Sequence, residues 1–292
     1  MLLKLLLFFA PLSLSLAFFA EAAPAGRLLR GTDLQNVSVL QATQGIAAGD
    51  IVVIGEEHGQ AMSQAGQLEI LRALRARGLR VSVAMEFFEY PFQALVDQYR
   101  AGTLPEPDFL SSIGWGSGFA FDFYREQVLF PQGSEGGRTV ALNIPRAVTS
   151  QVARKGLSSL TPDQRLLLPP DFTRGNDRYF ERFKKAVGGH LPDAAAAERY
   201  FLAQSLWDET MAWQALKAVD TDPGQVLVII VGEFHAQYGG GLPDRLKARG
   251  ARQVWTFSEI NLEGLTEQEQ LKQIQPDSID GARAQFLWVW EK

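Results

Sequence analysis

Four short apolar runs, at 50–54, 80–85, 139–144 and 225–231, constrain this chain more than any other feature. Each is aliphatic or β-branched and is bounded by glycine, proline or charge, the pattern of a strand. None alternates strictly between apolar and polar residues. Continuous apolar runs belong to strands covered on both faces, as in parallel sheets. Between the first two lies "AMSQAGQLEILRALRARGLR". There Leu68, Leu71 and Leu74 follow helical spacing, and Gly78 stands where a helix stops. Residues 50–85 therefore read as one βαβ unit with a right-handed crossover.

The same periodicity predicts helices in "PFQALVDQYRAGTL" and "AERYFLAQSLWDETMAWQALKAV", and "LLLPPDF" reads as a loop. From about 90 to 218 helical patterns predominate, interrupted by the run near Leu142. Two later segments, "RQVWTFSEI" and "AQFLWVWEK", read as strands, the last as a sheet edge. The expected fold is a three-layer α/β/α domain over 23–292. It has a mostly parallel or mixed central sheet and a helical insertion at about 90–218.

The first residues read as a targeting segment. One early cation, Lys4, precedes an apolar run to Ala20, and Ala20-Glu21-Ala22 meets the small-x-small rule for cleavage before Ala23. Residues 1–22 are thus a signal peptide, and the mature chain is periplasmic or secreted. The alternative is an uncleaved inner-membrane anchor, since Leu5 to Ala20 is slightly short of a span. The chain has no cysteine, which excludes disulfides and a lipid anchor through a cysteine thiol. A formal charge of −5 and no basic run exclude a nucleic-acid surface.

In an open α/β sheet, ligands gather beyond the carboxyl ends of the strands. The first run exits into Gly55-Glu56-Glu57-His58, the second into Glu86, and the fourth into Gly232-Glu233-Phe234-His235. The third exits into Asn143-Ile144-Pro145-Arg146. Two of only three histidines thus sit in twin G-E-x-H tetrapeptides at strand ends. If the strands are parallel neighbours, His58, His235, Glu56, Glu86 and Glu233 form a donor set for a divalent metal. The same groups suit acid/base catalysis, with Glu56 or Glu86 as the base of a hydrolase. Each glycine lets the backbone turn or permits close approach. The bland reading is a turn that caps the following helix. Glu57 reads as a solvated neighbour and His190, in "AVGGHLPD", as a surface histidine.

Gln204, Trp207, Asp208 and Met211 share one helix face. That face is either plain core or, because Gln204 and Asp208 are costly to bury unpartnered, a lining of the cleft with Asn143. "GWGSGFAFDFY" is an apolar wall for a planar ligand or a packed loop.

The ordered set "DIVVIGEEH", Gln67, "AMEFFEYPFQALVDQYRAGTL", Trp115, "ALNIPR", His190, "AQSLWDETMA" and "VGEFHAQYGGGLPDRL" resembles the ChaN-like haem-binding uptake proteins of the Tiki/erythromycin-esterase-like superfamily. It covers about 45–250. The resemblance implies a three-layer α/β fold, export, and haem as the ligand, with a homodimer left open. It also implies that the metal-dependent peptidases and esterases of the superfamily share the positions of His58, His235, Glu56, Glu86 and Glu233. The family pattern has Asp-Asn after the first histidine, where this chain has Gly59-Gln60. Haem iron needs an axial donor. The candidates are the three histidines and six tyrosines, among them Tyr179, Tyr200 and Tyr238, and the residues do not choose between them.

Overall fold

The computed structural model describes residues 26–291 apart from 117, 119, 132–135 and 189. The leader at 1–22 and its cleavage step lie outside the described residues. Seven strands form one sheet: β1 (Gly26–Arg30), β2 (Ile51–Glu56), β3 (Arg80–Glu89), β4 (Thr139–Asn143), β5 (Gln225–Gly232), β6 (Val254–Asn261) and β7 (Phe286–Trp290). Their spatial order is β1-β7-β6-β2-β5-β3-β4. Every pairing is parallel except β1 with β7.

The absence of alternation in the apolar runs has a direct cause. Val52 and Ile54, with Val81, Val83, Val228 and Ile230, face the helix Ala61–Ala76 and its Leu68, Leu71 and Leu74. Ile51 and Val53, with Leu227, Ile229 and Val231, face the long helix Ala194–Thr221 and the helix Leu242–Ala248. Both faces are core, so neither parity of the strand is polar. Met211, Ala212, Ala215 and Ala218 form the buried stripe of the long helix, whose small residues let it lie close on the sheet. Its N-terminus is capped by Asp193, whose carboxylate accepts the Ala196 N–H at 2.6 Å.

Two expectations shift. The segment "AQFLWVWEK" is an inner strand, because β1 pairs antiparallel with it and takes the edge. At five residues with arginine at two of them, β1 carries too little apolar pattern to be seen in the sequence. The second run also continues four residues past Met85, with a register shift against β4 between Met85 and Glu89. Such an irregularity re-aims side chains, and Glu86 and Phe87 lie within it. No described helix is long and apolar enough to cross a membrane.

Candidate functional site at the carboxyl edge of the sheet

The twin glycines serve each other's motif. β2 and β5 are hydrogen-bonded neighbours in register, with Gly55 opposite Val231 and Glu56 opposite Gly232. A Cβ on Gly55 would sit 2.3 Å from a Glu233 carboxylate oxygen and 2.8 Å from Ala236 Cβ. A Cβ on Gly232 would sit 3.1 Å from the His58 ring. Gly232 has φ of −56°, open to any residue. Its role is therefore close approach, not a turn that other residues refuse.

His58 lies between two carboxylates. Its Nδ1 is 2.9 Å from Glu56 Oε1 and its Nε2 is 3.0 Å from Glu86 Oε1. With acceptors on both sides, both nitrogens carry protons and the ring is a cation. Burial opposes that charge, but Glu56 and Glu86 outweigh it and push the His58 pKa up to about 10. His235 Nδ1 is 2.6 Å from Asp208 Oδ1, and its Nε2 is 3.8 Å from Glu86 Oε2. Here too burial resists the charge, and Asp208 followed by Glu86 raises the pKa above the ordinary imidazole value. Glu86 stands between both rings. Burial would raise its pKa, yet the His58 hydrogen bond and the two imidazolium charges hold it below the usual carboxylate range.

A buried amide chain backs this row. Gln67 Nε2 donates to Glu56 Oε2 at 2.6 Å and to Glu259 Oε2 at 3.0 Å. Its carbonyl accepts from Gln127 Nε2 at 3.0 Å, which fixes the amide's orientation. Tyr124 donates to Glu56 Oε1 at 2.8 Å. Among the described residues Glu259 has no ion-pair partner. Its burial and the nearby Glu56 charge push its pKa well above the ordinary carboxylate value.

Of the sequence-derived candidates, Glu56, His58, Glu86, His235, Asp208 and Gln204 form one continuous row. Gln204 Nε2 lies 3.0 Å from His235 Nδ1 and donates to the Tyr179 hydroxyl at 3.0 Å. Asn143 supports the row from behind: its Nδ2 donates to the Glu86 carbonyl at 3.0 Å and its Oδ1 accepts the Ile144 N–H. Glu233 turns the other way, accepting from Ser258 Oγ at 2.5 Å and Arg283 Nε at 2.8 Å. Among the described residues no three His, Asp or Glu side chains are grouped as a metal-ligand set. Glu57 and His190 are exposed.

The sequence pattern does not single out Gln127, Ser258, Glu259 or Arg283, and Tyr124 enters it only within the aromatic stretch and the set of six tyrosines. Ser258 and Glu259 were within reach of the strand-end rule, since they close "WTFSE". Gln127 gives no signal, because it lies on the helix Asp122–Leu129 after the aromatic stretch, ending at Tyr124, that reads as a wall or a packed loop. Members of the row line two clefts. One, of about 310 Å³, is walled by Phe87, Trp115 and Trp207 with Glu86 at its base. The other, of about 620 Å³, includes Glu56, His58, Glu233, His235 and Glu259.

A parallel α/β sheet with imidazoles and carboxylates from distant segments joined at its carboxyl edge defines a strand-end ligand or catalytic protein. The chain belongs to the haem-binding uptake family of the Tiki superfamily, ChaN, whose sequence pattern matches residues 42–246. A solved structure with a similar fold is that of cofacial haem binding to ChaN of Campylobacter jejuni. It has a TM-score of 0.63 and 12% identity, covering 91% of this chain and 97% of that one. A looser likeness is to an erythromycin esterase mutant in its open conformation, with a TM-score of 0.49 and 10% identity over 91% of this chain and 97% of that one. At 12% identity the likeness to ChaN of Campylobacter jejuni is one of fold. No curated protein matches in sequence.

Proposed function

We propose that this chain is an exported haem-binding protein of haem uptake. The observation that carries the reading is the family match across 42–246, and the leader at 1–22 supports export. The axial donor is sought among the histidines and tyrosines. His58 and His235 have nitrogens committed to carboxylates. The hydroxyls of Tyr99, Tyr124 and Tyr179 are tied to Glu106, Glu56 and Gln204. Tyr90 donates to the Leu167 carbonyl, and Tyr238 is half-buried with the Arg182 guanidinium over its ring. Among the described histidines and tyrosines the exposed ones are His190 and Tyr200, in the loop before the long helix and in its second turn, where a large planar ligand can reach them. These two residues would hold the iron, and the haem would supply the bound cargo.

Titrating haemin into the mature chain is expected to give a saturable Soret shift. The double variant His190→Ala/Tyr200→Phe is expected to lose it while keeping the wild-type unfolding temperature. A wild-type chain with no saturable shift overturns haem binding; a double variant that titrates normally overturns the donors named here. Mass analysis of the exported protein should find residues 1–22 removed, and an intact leader would establish the anchor instead.

One observation favours a second reading, hydrolysis of an ester, amide or peptide. His58 sits in a cleft as a cation between Glu56 and Glu86, a donor beside a base. This reading is built on proton transfer by the row itself, and a divalent metal held by the same histidines and carboxylates is tested beside it. Turnover of a chromogenic ester or peptide panel, with and without added zinc, is expected to fall roughly 10²–10⁴-fold in Glu86→Gln. No turnover above buffer removes the reading.

A further inference from the structure

The cleft walled by Phe87, Trp115 and Trp207 is a different kind of site from one that ligates iron. Its described lining holds no histidine, tyrosine, cysteine or methionine. A haem seated there would find no ordinary axial donor. Its other features are those of an organic-ligand pocket: a concave apolar surface with few polar groups. Phe87 and Trp115 meet edge to face at 5.7 Å, and Ile113 and Ile144 add aliphatic surface.

The polar groups of the lining divide by commitment. Asn143 spends both ends of its amide on backbone. Glu86 is neutralised by the two imidazolium rings. Glu89 accepts the backbone N–H of Arg146 at 2.8 Å, which fixes where the following helix Arg146–Lys155 begins. The Arg146 guanidinium, exposed at this cleft, has no partner among the described residues. One unengaged fork-shaped cation beside an aromatic wall suits a carboxylate on a flat ring.

We propose that this cleft binds a planar aromatic carboxylate, with its ring against Phe87, Trp115 and Trp207 and its carboxylate on Arg146, without iron ligation. At about 310 Å³ the space is at the small end for ligand pockets. It suits a bicyclic acid or one propionate-bearing edge of a porphyrin. The ligand also reports on the Glu/His row, because the Phe87 ring is 5.1 Å from His58 and the Trp207 ring 6.1 Å from His235. The site goes beyond the haem reading and stands apart from it, since it shares neither His190 nor Tyr200.

The test titrates the mature chain with 2-naphthoate, with 2-naphthol, which has no carboxylate, and with metal-free protoporphyrin IX. Tryptophan fluorescence and the imidazole proton resonances are followed. Saturable quenching by naphthoate with shifts of the His58 and His235 signals is expected. Arg146→Met should weaken it roughly tenfold or more, the effect of losing one charge-assisted hydrogen bond. Arg154→Met, an exposed cation on the same helix, should leave it unchanged. Trp115→Ala should also weaken it, and both cleft variants should unfold at temperatures that show them folded. Protoporphyrin binding without naphthoate binding, still sensitive to Arg146→Met, supports the site with a porphyrin edge as its ligand. No saturable binding of either acid overturns the proposal. So does binding indifferent to Arg146→Met, binding of naphthol as tight as naphthoate, or loss of naphthoate binding in His190→Ala/Tyr200→Phe.

Discussion

Glu86→Ala is expected to destabilise the fold by about 3–5 kcal/mol, the cost of removing one partner from a buried ion pair. Glu86 is buried and, among the described residues, is the one carboxylate shared by the two imidazoles, at 3.0 Å from His58 and 3.8 Å from His235. Without it the two cations, carried just beyond the ends of the paired strands β2 and β5, repel each other with no shared anion. Glu86→Gln keeps the volume and one acceptor, so it should cost less. The pH dependence carries the same information. His58 has its pKa raised in the folded state, from 6.5 to about 10. Its contribution is complete below pH 6.5 and is lost as pH rises through about 10. Glu86 is lowered in the folded state, so its contribution is present above the ordinary carboxylate value and is lost as pH falls through its own lowered one. Denaturant midpoints of the wild type should therefore fall from pH 7 towards pH 10, and Glu86→Gln should flatten that limb. A Glu86→Ala chain within about 1 kcal/mol of wild type, below the usual cost of breaking a buried pair, would show that the row is not ionised as described.

The second large effect lies away from the site. Trp288 on β7 is fully buried, and two glycines make room for it. A Cβ on Gly66, in the helix Ala61–Ala76, would come within 2.8 Å of its indole, and one on Gly26, in β1, within 2.6 Å. Trp288→Ala should cost about 3–5 kcal/mol from lost burial and the cavity left behind. Gly66→Leu should cost about 1–3 kcal/mol by forcing side chain and indole apart. Combined, the two changes should cost clearly less than their sum, since the leucine enters the space the indole vacates. Strict additivity in denaturant unfolding would mean that the two residues do not touch.

The two effects differ in how far the sequence anticipates them. Glu86 was visible because it closes an apolar run, and the rule that ligands gather at strand ends needs no coordinates. The Gly66–Trp288 contact was invisible, since 222 residues separate its members and a glycine in a helix only signals lowered propensity. β1 was missed for a related reason. Its pairing energy comes from β7, and five residues offer no period of their own. Tyr124, Gln127 and Glu259 are polar residues on elements whose neighbours are apolar, and only packing places them behind Glu56.

The sequence by itself determined the local chemistry: doubly covered strands, a βαβ start, and histidine with glutamate at two strand ends. Hydrophobic period and backbone reach settle those within some thirty residues. Tertiary structure alone decided that β2 and β5 are neighbours in register, that Gly55 accommodates Glu233 and Gly232 accommodates His58, and that Glu233 turns to Arg283 instead of joining the row. It also left Arg146 at an aromatic cleft with no counter-ion among the described residues. Strand order and side-chain aim follow from burying both faces of the sheet at once, a condition on the whole chain that no single segment encodes.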